Sequence, residues 1–413
     1  MKVEVNCKES INGEIKISGS KNTALPIICA SLLTNKKVIL ENIPFIDDIY
    51  NLIEIIKSIG CKVKQKNNQL IIKAHKINPI ILSKKVQLLR GSYYLMGVCL
   101  ARYGKCIIYM PGGCNLGERP IDYHLDGFKQ LGYKVIIYDQ IIKIEKELDG
   151  LNVINLPNKS VGATINMLLA SFRSKQTIIN NVSTEPEVQE VITFLRLIGC
   201  NIQINNNAII INGTNENRKI KFKIVKDRIE AGSYMLLAAS IPNSKLTLKE
   251  VPINYMQNII DIVKQIGSKV SINKDTIILE SSEEINSLDI IIKEYPAFPT
   301  DLQQILTAVL TLSKEQSIIE DLIYPKRISH VAELNKLKAN IEINNNKIII
   351  NNSKLFPNEV VAKDLRCGFA LIVAGCICNE KIIINNFEII NRGYENVMEK
   401  LRSIGVDIKE NNL

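Results

Sequence analysis

Ile59-Gly60-Cys61-Lys62-Val63, Leu131-Gly132-Tyr133-Lys134-Val135, Ile198-Gly199-Cys200-Asn201-Ile202, Ile266-Gly267-Ser268-Lys269-Val270 and Ile404-Gly405-Val406-Asp407-Ile408 are versions of one phrase. Leu337-Lys338-Ala339-Asn340-Ile341 is a further version that has lost its glycine. The phrases recur about every 70 residues, a period that marks a repeated supersecondary unit. Each reads as the end of a helix followed by a hairpin. The glycine supplies a left-handed residue at the helix C-terminus. Two β-rich runs then flank a polar turn, as in Ile202-Gln203-Ile204, Asn205-Asn206-Asn207 and Ile209-Ile210-Ile211. An amphipathic helix precedes each phrase, for instance one opening at Pro120 ahead of Ile121, Leu125 and Phe128. Before that come another helix and a strand, such as Gly162 to Phe172 and Gln176 to Asn180. The unit is helix, strand, loop, helix, glycine, hairpin. Six units divide most simply into two α/β domains of three, with Asp227-Arg228-Ile229-Glu230 at the midpoint. A strand over Val3 to Ile17 precedes the first unit and can pair with either half. The gap between two similar domains is a favoured place for a ligand site.

Composition narrows the class. The chain has 413 residues, enough for sizeable cores in more than one domain. Its first residues, Met1-Lys2-Val3-Glu4-Val5-Asn6, contain no apolar region of the signal-peptide kind. Apolar stretches such as Phe369 to Cys378 reach about half the length of a membrane span. A soluble, cytoplasmic protein is expected, with no membrane partner. The 10 cysteines have neither paired Cys-x-x-Cys spacing nor accompanying histidines, so neither zinc nor a disulfide framework is expected. Net charge is +10, but the lysines are spread beside isoleucine and asparagine, without a basic block and without tryptophan. Nucleic-acid binding is therefore not expected, while the positive field can steer anionic substrates. Neither a phosphate-binding Gly-x-x-x-x-Gly-Lys-Ser/Thr loop nor a dinucleotide fingerprint is present, so no cofactor is called for.

Polar residues recur at two places in the unit. One is the start of the first helix: Lys21-Asn22, Arg90, Ser160-Val161-Gly162, Arg228, Thr300-Asp301 and Asp364-Leu365-Arg366. Helix N-termini are natural anion sites. Pro26 belongs in a first helical turn, which makes Asn22 or Thr23 the expected N-cap. The other place is the loop before the second helix: Cys114 to Arg119, Lys326-Arg327 and Asn391-Arg392-Gly393. In the first of these loops, glycines and charges surround Cys114, a setting that makes thiols reactive. Each residue also has a plain structural reading. Asn22, Ser160 and Asp301 can be caps, Asp364 and Arg366 a local ion pair, and Arg228 and Glu230 a pair at the domain crossing. If the repeats are equivalent, Lys21, Arg90, Arg119, Arg327, Arg366 and Arg392 converge, and an anion with phosphate or carboxylate oxygens must complete them. His124 and His330 lie near enough to contact substrate or to brace their loops.

Taken together, Gly19-Ser20-Lys21-Asn22, Pro111-Gly112-Gly113-Cys114 with Arg119-Pro120, Ser160-Val161-Gly162-Ala163-Thr164, Pro296-Ala297-Phe298-Pro299-Thr300-Asp301, Asp364-Leu365-Arg366 and Arg392-Gly393-Tyr394-Glu395 closely resemble the UDP-N-acetylglucosamine 1-carboxyvinyltransferase family, the enolpyruvyl transferases of peptidoglycan synthesis. The resemblance covers essentially the whole chain. It implies two inside-out α/β barrel domains of three repeats each, residues 20–227 and residues 1–19 with 228–413, and an active site in the cleft between them. It also implies transfer of the enolpyruvyl group of phosphoenolpyruvate to the 3-hydroxyl of the sugar nucleotide, by addition and elimination without a metal or cofactor, in a monomer. On the same ground Asp301 is the base for the sugar hydroxyl. Cys114 helps to protonate the phosphoenolpyruvate methylene and can form an adduct with it. Lys21, Arg119 and Arg392 clamp its phosphate and carboxylate. Asn22, Arg119, Pro120, Ile121, Asp122, Tyr123, His124, Ser160, Val161, Gly162, Asp301 and Ile323 contact the sugar nucleotide, and Arg90, Arg327, Asp364 and Arg366 line the same site. Lys159 falls one place from where the family often has a lysine. The shikimate branch of the same fold is the nearest rival, and the loop cysteine argues against it. A non-catalytic binding member of the fold is a further alternative.

Overall fold

The computed structural model describes residues 1–7, 9–112, 121–148, 150, 152–378 and 380–411. Met1–Ser18 and Lys226–Leu413 belong to one compact unit, and the described residues within 19–225 to another.

The repeat is clearest in its third copy. Thr177–Asn180 is the inner strand, flanked on one side by Ala208–Asn212, which pairs antiparallel with it and with Asn201–Asn205. Alternation decides which face is buried: Ile179, Ile209 and Ile211 point inward, while Gln203 and Asn205 face solvent. On the other side lies a short strand, Val153–Asn155, running parallel to the inner one. That edge strand precedes the first helix and is absent from the unit read from sequence. Its three residues are too few to show a period of two. Among the described residues there are six sheets, and all have the same four-strand plan.

The first helix of each repeat is apolar all round. Nine of the ten residues in Val161–Ala170 are buried, as are twelve of the thirteen in Leu365–Ile377. Such a helix has no solvent face and must lie inside. Lys21–Ala30, Tyr94–Tyr103 and Val161–Ala170 pack together in one unit, and Arg228–Ala239, Gln303–Leu310 and Leu365–Ile377 in the other. The amphipathic second helices and the sheets surround them. This is the inside-out α/β arrangement.

Each unit closes its ring with a strand distant in sequence. In the 19–225 unit, Ile220–Lys223 pairs parallel with Lys37–Glu41, so the end of the unit supplies the edge strand of its first sheet. In the other unit the N-terminal segment does this work as two strands, where one was expected. Lys2–Asn6 stands between Ile382–Asn385 and Asp407–Glu410, and Asn12–Lys16 runs parallel to Lys245–Lys249. Near the crossing, the Ser18 amide donates to Glu230 Oε2 (2.7 Å) and Lys400 Nζ lies 2.6 Å from Glu230 Oε1. Lys400 thus takes the part expected of Arg228, whose guanidinium lies over the Tyr295 ring.

Gly60, Gly132, Gly199, Gly267 and Gly405 all have positive φ at the ends of their helices. Where the glycine is lost, Lys338 adopts φ +67 in its place. A left-handed non-glycine residue costs about 1–2 kcal/mol, partly offset by the extra freedom of glycine when unfolded. Exposed Lys338→Gly is expected to stabilise the chain by about 0.5–1 kcal/mol, read as a higher denaturation midpoint at unchanged m-value.

Candidate active site

The N-terminal ends of the buried helices carry most of the candidate residues. In the 19–225 unit, Ser20 caps Lys21–Ala30 by accepting from the Thr23 amide, in place of the expected Asn22 or Thr23. Pro26 is the sixth residue of that helix, so only the Asn22 carbonyl loses its i+4 donor, and burial of the helix outweighs the loss. Lys21 is buried and its Nζ lies 2.6 Å from Asp48 Oδ2 at the start of Asp47–Ser58. Asp48 had no role in the sequence reading, although an acidic pair at a helix start was a signal for it.

A second group forms around His124, in the helix Asp122–Gln130. The Asn166 side-chain oxygen accepts from the Gly97 amide (3.1 Å), which fixes the amide so that its Nδ2 donates to His124 Nδ1 (2.8 Å). His124 is thereby the tautomer protonated at Nε2. The Tyr93 ring lies 4.5 Å from the imidazole, and the Arg90 guanidinium lies 5.9 Å from the centre of the same tyrosine ring. A Cβ at Gly162 would come within 2.7 Å of Tyr93 Oη and 2.9 Å of His124 Cε1, so only glycine fits there. Ser160 caps Val161–Ala170 through the Ala163 amide. Arg90, His124 and Ser160–Gly162 are thus brought together, with Val161 part-exposed. Ile121 is buried, Asp122 and Lys159 are exposed, and Tyr123 Oη accepts from Asn158. Cys114, Arg119 and Pro120 lie outside the described residues.

In the other unit the centre is Asp301, in the turn Thr300–Leu302 before Gln303–Leu310. Asn258 fixes the approach to this turn by donating to the Pro296 and Ala297 carbonyls (3.0 and 2.6 Å). Arg327 Nη1 reaches Asp301 Oδ1 at 2.9 Å and Arg366 Nη2 reaches Oδ2 at 3.3 Å. Both guanidinium groups are buried, and the carboxylate is 24% exposed. Arg327 also bonds the Thr300 carbonyl (2.7 Å) and lies over Tyr324. Thr300 Oγ1 donates to Asp321, which accepts the amides of Ile323 and Tyr324 and so holds the Ile323 backbone. Arg366 lies over Tyr394, whose ring stacks on Phe369. Burial opposes its charge, but Tyr394 and Asp301 outweigh that and keep it above its ordinary range. Arg392 ends the turn Phe387–Arg392, two residues before Tyr394.

Asp364 does not pair with the Arg366 side chain. Its Oδ1 caps Leu365–Ile377 by accepting the Arg366 and Cys367 amides, and Oδ2 accepts from Gln304 and Ser329. The helix start thus holds Arg366 by its backbone and leaves its guanidinium to Asp301. Sequence reading missed Asn166, Gln304, Tyr324 and Tyr394. Asn166 had a signal, since it is a lone amide pointing inward from a largely apolar helix, and so had Gln304, one of two adjacent amides at the start of another.

His124 and His330 are fully enclosed, and burial pushes each down to about 3, helped by Arg90 at His124 and opposed by Asp364 at His330. Both are neutral in the folded chain, whereas unfolded histidine titrates near 6.5. As pH falls below about 6.5 the unfolded chain takes up protons that the folded chain refuses, so stability is lost until about pH 3. Each histidine contributes up to about 1.4 kcal/mol per pH unit in that window. Urea denaturation between about pH 7 and pH 5.5 is expected to show this slope, and His330→Asn to halve it. An unchanged slope would mean that His330 does not titrate on unfolding.

The family profile for EPSP synthase (3-phosphoshikimate 1-carboxyvinyltransferase) matches residues 5–401. A relative from Pelagibacter ubique named UDP-N-acetylglucosamine 1-carboxyvinyltransferase is 37% identical over 417 residues, with 100% of each chain covered. The chain belongs to the EPSP synthase family. Within that family, a Staphylococcus epidermidis protein named UDP-N-acetylglucosamine 1-carboxyvinyltransferase 2 is 38% identical, with 98% of each chain covered. Among solved structures, the enolpyruvyl transferase NikO from Streptomyces tendae superposes with a TM-score of 0.91 at 18% identity, covering 99% of this chain and 98% of its own. An EPSP synthase from Acinetobacter baumannii gives 0.76 at 16% identity, covering 99% and 100%. At such identities these two speak for the fold alone. Among the described residues no helix is long and apolar enough to cross a membrane.

Proposed function

We propose that this chain transfers the enolpyruvyl group of phosphoenolpyruvate to the 3-hydroxyl of UDP-N-acetylglucosamine and releases phosphate, the step that commits the sugar nucleotide to peptidoglycan. The observation that carries this reading is 37–38% identity, over essentially the full length, to carboxyvinyltransferases named for that acceptor. The arrangement around Asp301 supports it, because a part-exposed carboxylate fixed by two buried guanidinium groups is an oriented proton acceptor. In the addition step the sugar hydroxyl gives its proton to Asp301 as its oxygen bonds C2 of phosphoenolpyruvate, and Cys114 delivers a proton to C3. A proton then leaves C3 to a base as the bond from C2 to the phosphate oxygen breaks, which restores the double bond and releases phosphate. Lys21, Arg119 and Arg392 clamp the phosphate and carboxylate, where cations stabilise developing charge. Asn22, Arg90, Arg119 to His124, Ser160 to Gly162, Ile323 and Arg366 serve the sugar nucleotide. Arg327 and Asp364 act at one remove, by holding Asp301 and the Arg366 helix start.

The rival acceptor is shikimate 3-phosphate, the acceptor for which the family is named. Phosphate release from phosphoenolpyruvate, measured with each acceptor in turn, separates the two. Release with the sugar nucleotide alone is expected; release only with shikimate 3-phosphate would overturn the assignment. The proposal includes a cytoplasmic monomer, for which sedimentation at the chain mass of 46.4 kDa is the test.

A further inference from the structure

The unit formed by Met1–Ser18 and Lys226–Leu413 holds a cavity of about 550 Å³. Ala239, Leu312 and Ile377 line it, so it lies at the C-terminal ends of the three buried helices whose N-termini carry Asp227, Asp301 and Asp364. At 1.5 Å per residue the longest of these helices separates the two ends by roughly 20 Å. Cys7 and Cys376 share this cavity. Cys7 lies in the connector between Lys2–Asn6 and Asn12–Lys16, and Cys376 in the last turn of Leu365–Ile377. Val5 Cγ1 packs 3.1 Å from the Cβ position of Gly375, so strand and helix touch directly beside the two thiols.

We propose that Cys7 and Cys376 form a dithiol modification site that a peroxide converts to a disulfide. Among the described residues Cys7 is the cysteine that is not buried. Both side chains line this cavity, and the Cys7 thiol donates to the Glu9 carbonyl (2.9 Å). The neighbouring Cys376 holds the Cys7 thiol below its ordinary range, while Cys7 and burial push Cys376 up. Cys7 is thus the attacking thiolate and Cys376 the resolving thiol, the arrangement of a redox-sensitive pair. The Cys7 sulfur attacks one peroxide oxygen, forming S–O as O–O breaks, and the departing oxygen takes a proton. Cys376 sulfur then attacks the Cys7 sulfenic acid: S–S forms, S–O breaks, and hydroxide leaves as water with the Cys376 proton. Two thiols lose two electrons in all, and the peroxide gains them. Glu9, Glu283 and Glu284 on the cavity wall outnumber Lys314, which pairs with Glu284. The net acidic lining disfavours an anionic oxidant and leaves a small neutral peroxide as the fitting reagent. Cys99 and Cys106 provide an internal contrast, being neighbours too but both at 0% exposure.

The test is to expose the full chain to hydrogen peroxide, alkylate it under denaturing conditions and identify peptides by mass spectrometry. A reductant-reversible link between the Cys7 and Cys376 peptides is expected, with Cys99 and Cys106 recovered alkylated. In Cys376→Ser, Cys7 stops at the sulfenic acid and is captured by dimedone; in Cys7→Ser, Cys376 is recovered alkylated. Recovery of both thiols unoxidised in the unmodified chain, or oxidation of Cys7 without any link to Cys376, would overturn the proposal. None of these readouts depends on turnover.

Discussion

Asp301→Asn is expected to lower kcat at least about 100-fold, the scale of a lost general base. The substitution keeps the size of the side chain and removes the charge that lets it accept the hydroxyl proton. The surroundings make it a clean test. Arg327 keeps its bond to the Thr300 carbonyl and its place over Tyr324, and Arg366 keeps its place over Tyr394. Asn258 still holds the approach to the turn. Folding should therefore survive, and the thermal midpoint should move much less than the rate. Single-turnover measurement at saturating substrates separates chemistry from binding. A kcat within a few-fold of the unmodified protein would remove Asp301 from proton transfer and leave it only as an anchor for two arginines.

How much of this was legible in the sequence depended on range. Local signals worked: the phrase glycines take the left-handed conformation that their spacing implied, and Ser160 is a cap. Pro26 misled because burial of its helix outweighs one missing hydrogen bond. Ring closure was harder. Nothing in Ile220–Lys223 or Asn12–Lys16 names a partner some two hundred residues away, since any β-rich run with the right alternation can pair there. The site divides in the same way. Arg327 and Arg366 were expected to converge with a ligand anion completing them. That Asp301 is a carboxylate bonded to both is a property of the packed helices that no local signal carries. Asp364 was read against its sequence neighbour Arg366, while its real partners are two backbone amides, Gln304 and Ser329.

That arrangement makes Asp364→Ala strongly destabilising. The substitution removes the cap of Leu365–Ile377, worth about 0.5–2 kcal/mol. It also strips a buried carboxylate from Gln304 and Ser329, and charge-assisted bonds of this kind are worth about 1.5–3 kcal/mol. Some of this overlaps, so a loss of about 3 kcal/mol is expected. Asp364→Asn should be much milder. Its side-chain oxygen can still cap the helix, while the new amide hydrogens face groups that can turn: the Ser329 hydroxyl rotates to accept, and Gln304 has an unpartnered side-chain oxygen to offer. Activity should follow the same order, because the cap fixes the residue whose guanidinium orients Asp301. Urea denaturation of the two variants, with kcat measured where both are folded, tests the chain of positioning from cap to arginine to base. If alanine and asparagine lost the same stability, the carboxylate charge, and not the cap and contacts that asparagine can keep, would carry the stabilisation. A stable alanine variant with full turnover would break the link between the helix start and the chemistry.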